Sequence, residues 1–507
     1  MVLGIIMTGT FMAILDTSIV NVALPHMMSA FSVNREQIEW VSTAFMLASA
    51  VVMPLMGWLS GHVGYKRLYL SSLFVFTVGS ALCAMAQSYD ELVIARVIQA
   101  IGGGAIQPVG MAFIAELFEP HERGRALGIW GTGIMVAPAL GPTLGGYLTE
   151  WYSWRTIFSV NLPIGAVALL AGLLIMRREH GTSQQRTRFD FWGFTFLSMF
   201  LVAALIGLTN GQLKGWDSDY ILMCWAFSFI GLVMFVAVES SVPAPILDLG
   251  MFRIRNFTLA VALAVFRAVA LFGGVFLLPL FLQNLVGYTT IQAGLLLMPG
   301  AVAVGLTMPV AGRLADRYSP RILVTGGVII TGCSLLMFGH LDPLSNYIGI
   351  VGPQILRGIG LAFMVAPLLS AALNSVPRHT VATASSFLNV AQGVGGAFGI
   401  AIVNAFVTNV SHRHAVRIGE LLPLQSSDYY RLAWRTANVM ARGVHGILPT
   451  IPIKSLFVAG RVVLHHADVL GFQNGFVFSG LLLLAAIPLS LMMKPNAGHA
   501  PRPVVAE

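Results

Sequence analysis

Four ionisable side chains stand deep inside long apolar runs: Asp16 in LDTSIVNVALP (15–25), Arg96 in RVIQAIGGG (96–104), Arg267, and Arg357 in QILRGIGLA (354–362). An ionisable group at mid-bilayer costs at least about 2.5–3.5 kcal/mol on insertion scales, so each marks a functional site or a paired charge. Asp16 is the only carboxylate placed well inside such a run. Burial favours the neutral form of a carboxyl and a nearby arginine favours the charged form, so a partner that moves would switch its proton on and off. A fixed structural ion pair is the alternative reading. Arg357 has no embedded acid nearby in sequence. Arg267 has three open roles: contact with an anionic substrate, pairing with Asp16, or snorkelling toward a water-filled cavity.

The elements that position these charges follow from composition. Of 507 residues 56% are hydrophobic and only 10% charged, with a mean hydropathy of +0.80. Soluble domains carry about 25% charged residues, so the chain reads as an all-α polytopic membrane protein. A helix needs about 20 apolar residues to cross the hydrocarbon core. Fourteen such runs fall near 2–25, 38–57, 68–87, 92–115, 126–148, 154–176, 191–209, 220–239, 257–285, 291–311, 322–340, 346–371, 381–409 and 469–493. Met1 leads straight into apolar sequence without a basic flank, so no cleavable signal is expected. Cys83, Cys224 and Cys333 fit neither a disulfide framework nor a zinc site and read as packing residues.

Lysine and arginine in short loops set orientation. One set of alternate loops holds Lys66, Arg67, Arg123, Arg125, Arg177, Arg178, Arg186, Arg188, Arg253, Arg255, Arg313, Arg317, Arg321, Arg378 and Lys494, whereas the opposite short loops hold little beyond Arg35, Arg155 and Lys214. The first set is therefore expected in the cytoplasm, with both termini. The formal charge of +8 is spread over these helix ends rather than gathered into a patch, so nucleic acid is not an expected partner.

The chain repeats itself. GWLSGHVGYKR (57–67) returns as GRLADRYSPR (312–321) after 255 residues, Arg96 returns as Arg357 after 261, and Gly145 returns as Gly395 after 250. Two six-helix halves with an inserted helix pair follow, and such parallel repeats are a common build of alternating-access transporters. The expected segments are 1–176 for the first half, 177–256 for the linker and inserted pair, and 257–410 for most of the second half. A long extracytoplasmic loop at 411–468 and a last helix with its tail at 469–507 complete the chain.

APALGPTLGGYL (137–148) predicts a bent helix. Proline removes a backbone donor, and glycines open a smooth face, so Gly133, Pro138, Gly141, Pro142, Gly145 and Gly146 serve either tight packing or a conformational hinge. Asn21 and Gln283, polar within apolar helices, and Phe45, Met111 and Trp130 are candidates for the substrate pathway with Arg267 and Arg357; the apolar ones fit core packing equally. There is no GxxxxGK[ST] loop, and the GGG at 102–104 lies in a membrane helix, so neither nucleotide chemistry nor any catalytic residue is expected. His412, His414, His465 and His466 lack cysteines or carboxylates at metal-ligand spacing, and no metal is expected.

LDTSIVNVALP, GWLSGHVGYKR, RVIQAIGGG, PHERGRALG (120–128), APALGPTLGGYL, WRTIFSVNLPIG (154–165), LDLGMFRIRNF (247–257), LPLFLQNLVGY (278–288), AGLLLMPG (293–300) and SSFLNVAQGVGGAFG (385–399) occur in this order. Together they resemble the major facilitator superfamily, specifically its fourteen-helix drug:proton antiporters of the EmrB/QacA type. The resemblance implies the major facilitator fold in a bacterial inner membrane and export of hydrophobic or cationic drugs and toxic amphipathic compounds by alternating access. It implies no cofactor beyond the proton gradient. Asp16 and Arg96 match the family's positions for proton coupling and cation recognition, and the glycine-proline motif of helix five is associated with antiporters. A periplasmic adaptor and an outer-membrane channel are the partners it implies, besides substrate, protons and lipid. Export of one endogenous metabolite or lipid is the rival within transport, and a non-transporting receptor or scaffold is the rival from another class.

The family pattern also places an aspartate in the turn that GWLSGHVGYKR represents, where it joins a charge network holding one state closed. Asp316 supplies it in the second copy, with Arg313, Arg317 or Arg321 as expected partners. The first copy, with Gly57, Gly61, Gly64, Lys66 and Arg67, has Gly61 where the second, beginning at Gly312, has Asp316. Glu116, at the end of helix four, is the candidate partner for Lys66 or Arg67.

Overall fold

The computed structural model describes residues 1–176, 189–242, 245–377, 380–421 and 451–494. Arg177, Arg178, Arg186, Arg188 and Arg378, which help set orientation in the sequence, lie outside these residues. The helices are α1 (Val2–Phe31), α2 (Arg35–Val63), α3 (Tyr65–Met85), α4 (Tyr89–Leu117), α5 (Arg123–Trp151), α6 (Thr156–Ser159), α7 (Asn161–Ile175), α8 (Phe191–Lys214) and α9 (Asp219–Glu239). After a 3-10 turn at Leu249–Arg253 come α10 (Arg255–Asn284), α11 (Thr290–Arg317), α12 (Pro320–Phe338), α13 (Tyr347–Asn374), α14 (Val381–Leu421), α15 (Ile451–Leu484) and α16 (Ile487–Leu491). Among the described residues there is no strand, and twelve helices are long and apolar enough to cross a membrane. A thirteenth is α5, if its parts Arg123–Pro138 and Leu140–Trp151 form one span bent by 44°.

Local sequence sets the ends of these helices. Asn34 and Gln37 form a capping box on α2, and Thr289 and Gln292 form one on α11. Each satisfies amides that a helix start leaves unpaired. The stretch GWLSGHVGYKR is less of a loop than expected: α2 runs through Gly57 and Gly61 to Val63, α3 begins at Tyr65, and the turn is Gly64 alone, at φ 86°. Glycine takes that left-handed φ at no steric cost, so one residue can reverse the chain. Gly312, Asp316 and Arg317 likewise lie in the last turns of α11. At the far end of the chain, α14 and α15 extend from either side into the segment read as a loop at 411–468, leaving 422–450 outside the described residues.

Packing divides the helices into two groups. In the first, α1 packs on α5 and α7, and α4 on α2 and α3; in the second, α13 packs on α11 and α12, and α14 on α10 and α15. The groups meet mainly where α5 crosses α11 and where α2 and α4 meet α14, while α8 and α9 pair with each other and α8 rests on α2 and α14. The exterior of α9 is apolar, with Leu222, Met223, Phe227, Phe229 and Ile230 all exposed, as lipid-facing helices require.

The bend in α5 has a backbone cause. Pro142 has no N–H to give to the carbonyl four residues earlier, that of Pro138. Ser18 Oγ on α1 donates to this orphaned carbonyl instead, at 3.0 Å. A Cβ on Gly141 would collide with Ser18 Oγ, and one on Gly145 would stand 3.0 Å from Ile19 Cγ1. The absence of side chains is what lets α1 approach closely enough for the hydrogen bond.

Candidate functional site

Asp16, on α1, is closed inside the first group of helices. Its Oδ2 accepts Arg96 Nη1 at 2.6 Å, and the two side chains are 0% and 1% exposed. Its Oδ1 accepts Gln99 Nε2 and Asn161 Nδ2, each at 2.9 Å. Gln99 also donates to Ser80 Oγ at 2.7 Å and accepts from Arg96 Nη1 at 2.6 Å, while Asn161 reaches Ser80 Oγ at 3.3 Å. Arg96 Nε donates to the Val41 carbonyl at 3.1 Å, and its guanidinium lies 4.2 Å from the Phe45 ring centre and 5.7 Å from that of Phe158. Cys83 Sγ donates weakly to Gln99 Oε1 at 3.6 Å.

Five helices therefore converge on one carboxylate: α1 brings the acid, α4 the arginine and amide, α2 a carbonyl and a ring, α3 a hydroxyl, and α7 a second amide. A buried charge of this kind is held by the hydrogen bonds its neighbours make to it and to one another, and removing one member leaves the others underpaired. Arg96 and Gln99 share one face of α4 because residues three apart do so on a helix. Close approach of α3 and α4 needs glycine, since a Cβ on Gly79 would run into the Gln99 backbone and one on Gly102 into that of Phe76.

Sequence reasoning places the pair but misses Gln99, Asn161 and Ser80. The signals were present: Gln99 is three residues after Arg96, and Asn161 opens NLPIG between two apolar runs. The remaining pathway candidates scatter. Trp130 is buried and donates through Nε1 to Thr10 Oγ1 at 3.0 Å; Met111 is buried in α4; Asn21 accepts from Ser42 Oγ at 3.0 Å; Gln283 is half-buried near the end of α10. Phe45 stacks on Arg96. Arg267 and Arg357 are both buried, at 3% and 8% exposure, and Arg267 does not pair with Asp16.

A second polar constellation ties the two groups of helices at the end bearing the basic loops. Asp316, on α11, accepts the backbone amides of Gly124 at 2.8 Å and Arg125 at 2.9 Å. It thus caps the start of α5, where unpaired amides and the helix dipole favour an anion. Arg123 Nη1 donates to Asn374 Oδ1 at 3.0 Å, and Asn374 Nδ2 to the Pro120 carbonyl at 3.1 Å. The helices touch through glycine: a Cβ on Gly312 would collide with the Gly124 carbonyl, and one on Gly128 would come within 2.6 Å of the Met308 carbonyl.

These contacts correct two expectations. Asp316 is engaged by the amides of the other half, whereas Arg313, Arg317 and Arg321 are exposed. Glu116 is exposed at the end of α4 and pairs with neither Lys66 nor exposed Arg67; Lys66 Nζ donates to the Met176 carbonyl at the end of α7. The free carbonyls at a helix C-terminus attract a cation, and this one stands nearer than the carboxylate.

Comparisons with known proteins bear on the family and the fold. The Major Facilitator Superfamily profile matches residues 6–400. The uncharacterized MFS-type transporter YhcA of Bacillus subtilis is 30% identical over 493 residues, 97% of this chain and 92% of YhcA. The multidrug export protein EmrB of Escherichia coli K12 is 32% identical over 414 residues, 81% of each chain. Among solved structures, that of the proton:xylose symporter XylE superposes with a TM-score of 0.58 at 14% identity, covering 96% of this chain and 95% of XylE, a likeness of fold.

Proposed function

The chain belongs to the Major Facilitator Superfamily, and from that premise we propose that it is a proton-coupled antiporter that exports amphipathic, hydrophobic or cationic compounds from a bacterial cell by alternating access. It is a multi-pass inner-membrane transporter with a relative named as a multidrug export protein. The observation that carries the coupling is the Asp16 network: the one carboxylate deep in the first half is bound on both oxygens. Protonating Asp16 removes the charge that holds Arg96 and turns one acceptor oxygen into a donor, so the contacts of α1 with α3, α4 and α7 must rearrange.

The proposed topology has fourteen spans, adding α5 and the 30-residue α10 to the twelve, with both termini and the basic loops in the cytoplasm. Two halves, 1–176 and 257–494, enclose the inserted pair. On that topology the Asp316 cap closes the cytoplasmic end, and the structure corresponds to a state shut toward the inside. Releasing the cap and flexing α5 at Pro138–Pro142 would open it. The 411–468 segment, of which 422–450 lies outside the described residues, is the part of the chain we assign to contact with a periplasmic adaptor and, through it, an outer-membrane channel.

Reconstitution into proteoliposomes with an imposed pH gradient tests the reading. Substrate efflux should run with counter-movement of protons, and Asp16→Asn should fold and bind yet lose uphill transport. Undiminished uphill efflux in Asp16→Asn refutes the coupling assignment.

A further inference from the structure

The second half repeats the first, but its charges do not. Arg357 is the counterpart of Arg96, and Arg267 sits 251 residues after Asp16, within the range of the other repeat offsets. Where the first half holds one acid and one arginine, the second holds two arginines, and α10, α12 and α13 contain no aspartate or glutamate.

Both arginines face the interior of their half. On α13, a Cβ on Gly358 would collide with the Gly300 carbonyl of α11, and one on Gly360 with Thr331 Oγ1 of α12. Arg357 and Gln354 lie between those two directions, as Arg96 lies between Gly102, which touches α3, and Gly104, which touches α2. On α10, Val265, Ala268 and Val269 pack against Gly395 and Gly399 of α14. Arg267 stands about 200° round the helix from Val265 at 3.6 residues per turn, turned away from α14 just as Asp16 is turned away from α5. α10 also packs on α13.

These side chains are buried and unsatisfied. Arg267, Arg357, Gln354 and Thr331 are 3%, 8%, 1% and 1% exposed. Among the described residues Arg267 Nε, Arg357 Nη1, both amide atoms of Gln354 and Thr331 Oγ1 have no hydrogen-bond partner. In the first half the buried donors Arg96 and Gln99, with Ser80, converge on or beside the Asp16 carboxylate. Buried cations are otherwise paired, and orphaned donors of this kind call for an acceptor.

We propose that Arg267, Arg357 and Gln354 form a monoanion site in the second half, which takes a carboxylate-type acid group where the first half supplies Asp16. The inference rests on the transport reading for its source: the acid group belongs to an amphipathic compound being exported, rather than to chloride held as a permanent counter-ion. Asp16 has both oxygens engaged, so among the described residues of the two six-helix halves the unmatched buried charge is positive; the buried carboxyls of Asp190 and Glu239, each with one unpartnered oxygen, lie at the inserted pair α8 and α9.

The test is binding by the full chain in nanodiscs, in halide-free Hepes at neutral pH, followed by calorimetry and thermal unfolding. Benzoate should bind and raise the unfolding midpoint, its neutral analogue benzamide should do neither, and Arg267→Gln or Arg357→Gln should weaken benzoate at least tenfold. Without anion, those two variants should unfold no earlier than the parent, because each removes an unpaired buried charge, whereas Arg96→Gln should unfold earlier. A benzoate response without a chloride response assigns the site to substrate, and a chloride response that excludes benzoate assigns it to a counter-ion; both establish an anion site. No response to either anion, or an equal response to benzamide, overturns it, and that comparison needs no variant to fold. A chain that binds benzoate but moves no protons refutes the transport reading and leaves the site standing.

Discussion

The Asp316 carboxylate accepts the Gly124 amide at 2.8 Å, so a residue of α11 caps α5, a helix of the other half. The contact exists only while the two halves are together at that end. In the proposed transport cycle its strength therefore adds directly to the free energy of the state closed at that end.

Asp316→Asn should shift that equilibrium toward opening. An N-cap and its dipole interaction are each worth about 1 kcal/mol, and losing one such increment changes a two-state ratio about fivefold. Spin-label distances between the ends of α5 and α11 read the shift directly. An unchanged distance distribution would show that glycine packing alone holds the end shut.

Gly61→Asp should act in the opposite direction. Gly61 is the repeat counterpart of Asp316, and nearby Gly57 packs against Thr383, with a Cβ 3.0 Å from the Thr383 Cα, which places this end of α2 against the first turn of α14. An aspartate there gains a helix start to cap and should raise the closed population by a comparable factor. Equal state populations in parent and variant would mean that the asymmetry between the two copies is without effect.

Asp16→Asn should lower stability as well as coupling. Breaking a buried pair by removing one partner costs about 3–5 kcal/mol, because Arg96 is left charged and underpaired. Adding Arg96→Leu should recover part of that loss in thermal unfolding. Additive losses in the double variant would argue against the direct pairing seen at 2.6 Å.

Gly141→Ala and Gly146→Ala form a contrasting pair on one helix. The first methyl would strike Ser18 Oγ and break its bond to the Pro138 carbonyl, at an overpacking cost of about 1–3 kcal/mol. The second would meet Ile291 Cγ1 at an ordinary 3.6 Å. Thermal unfolding and transport should fall for Gly141→Ala and hold for Gly146→Ala; equal behaviour would count against close α1–α5 packing as the reason for the motif.

Much of the molecule is written in local sequence. Apolar run length gives most of the helices and proline position gives the bend in α5, because each depends on residues near one another in the chain. The family is legible for the same reason, through motifs carried on single helices. The embedded charges also announce themselves, since each breaks an apolar run.

Partners do not follow from such signals. Asp16 draws Asn161 from 145 residues away, and Lys66 takes a carbonyl 110 residues away in place of a nearby-seeming glutamate. Asp316 was expected to seek arginines of its own turn and instead caps a helix 191 to 192 residues earlier. Hydropathy and spacing fix which residues must be inside and on which face of a helix they lie. Which of them meet is decided by how the helices cross, and it took the assembled bundle to bring Arg96, Gln99 and Asn161 onto Asp16 while leaving Arg267 Nε and Arg357 Nη1 without partners among the described residues.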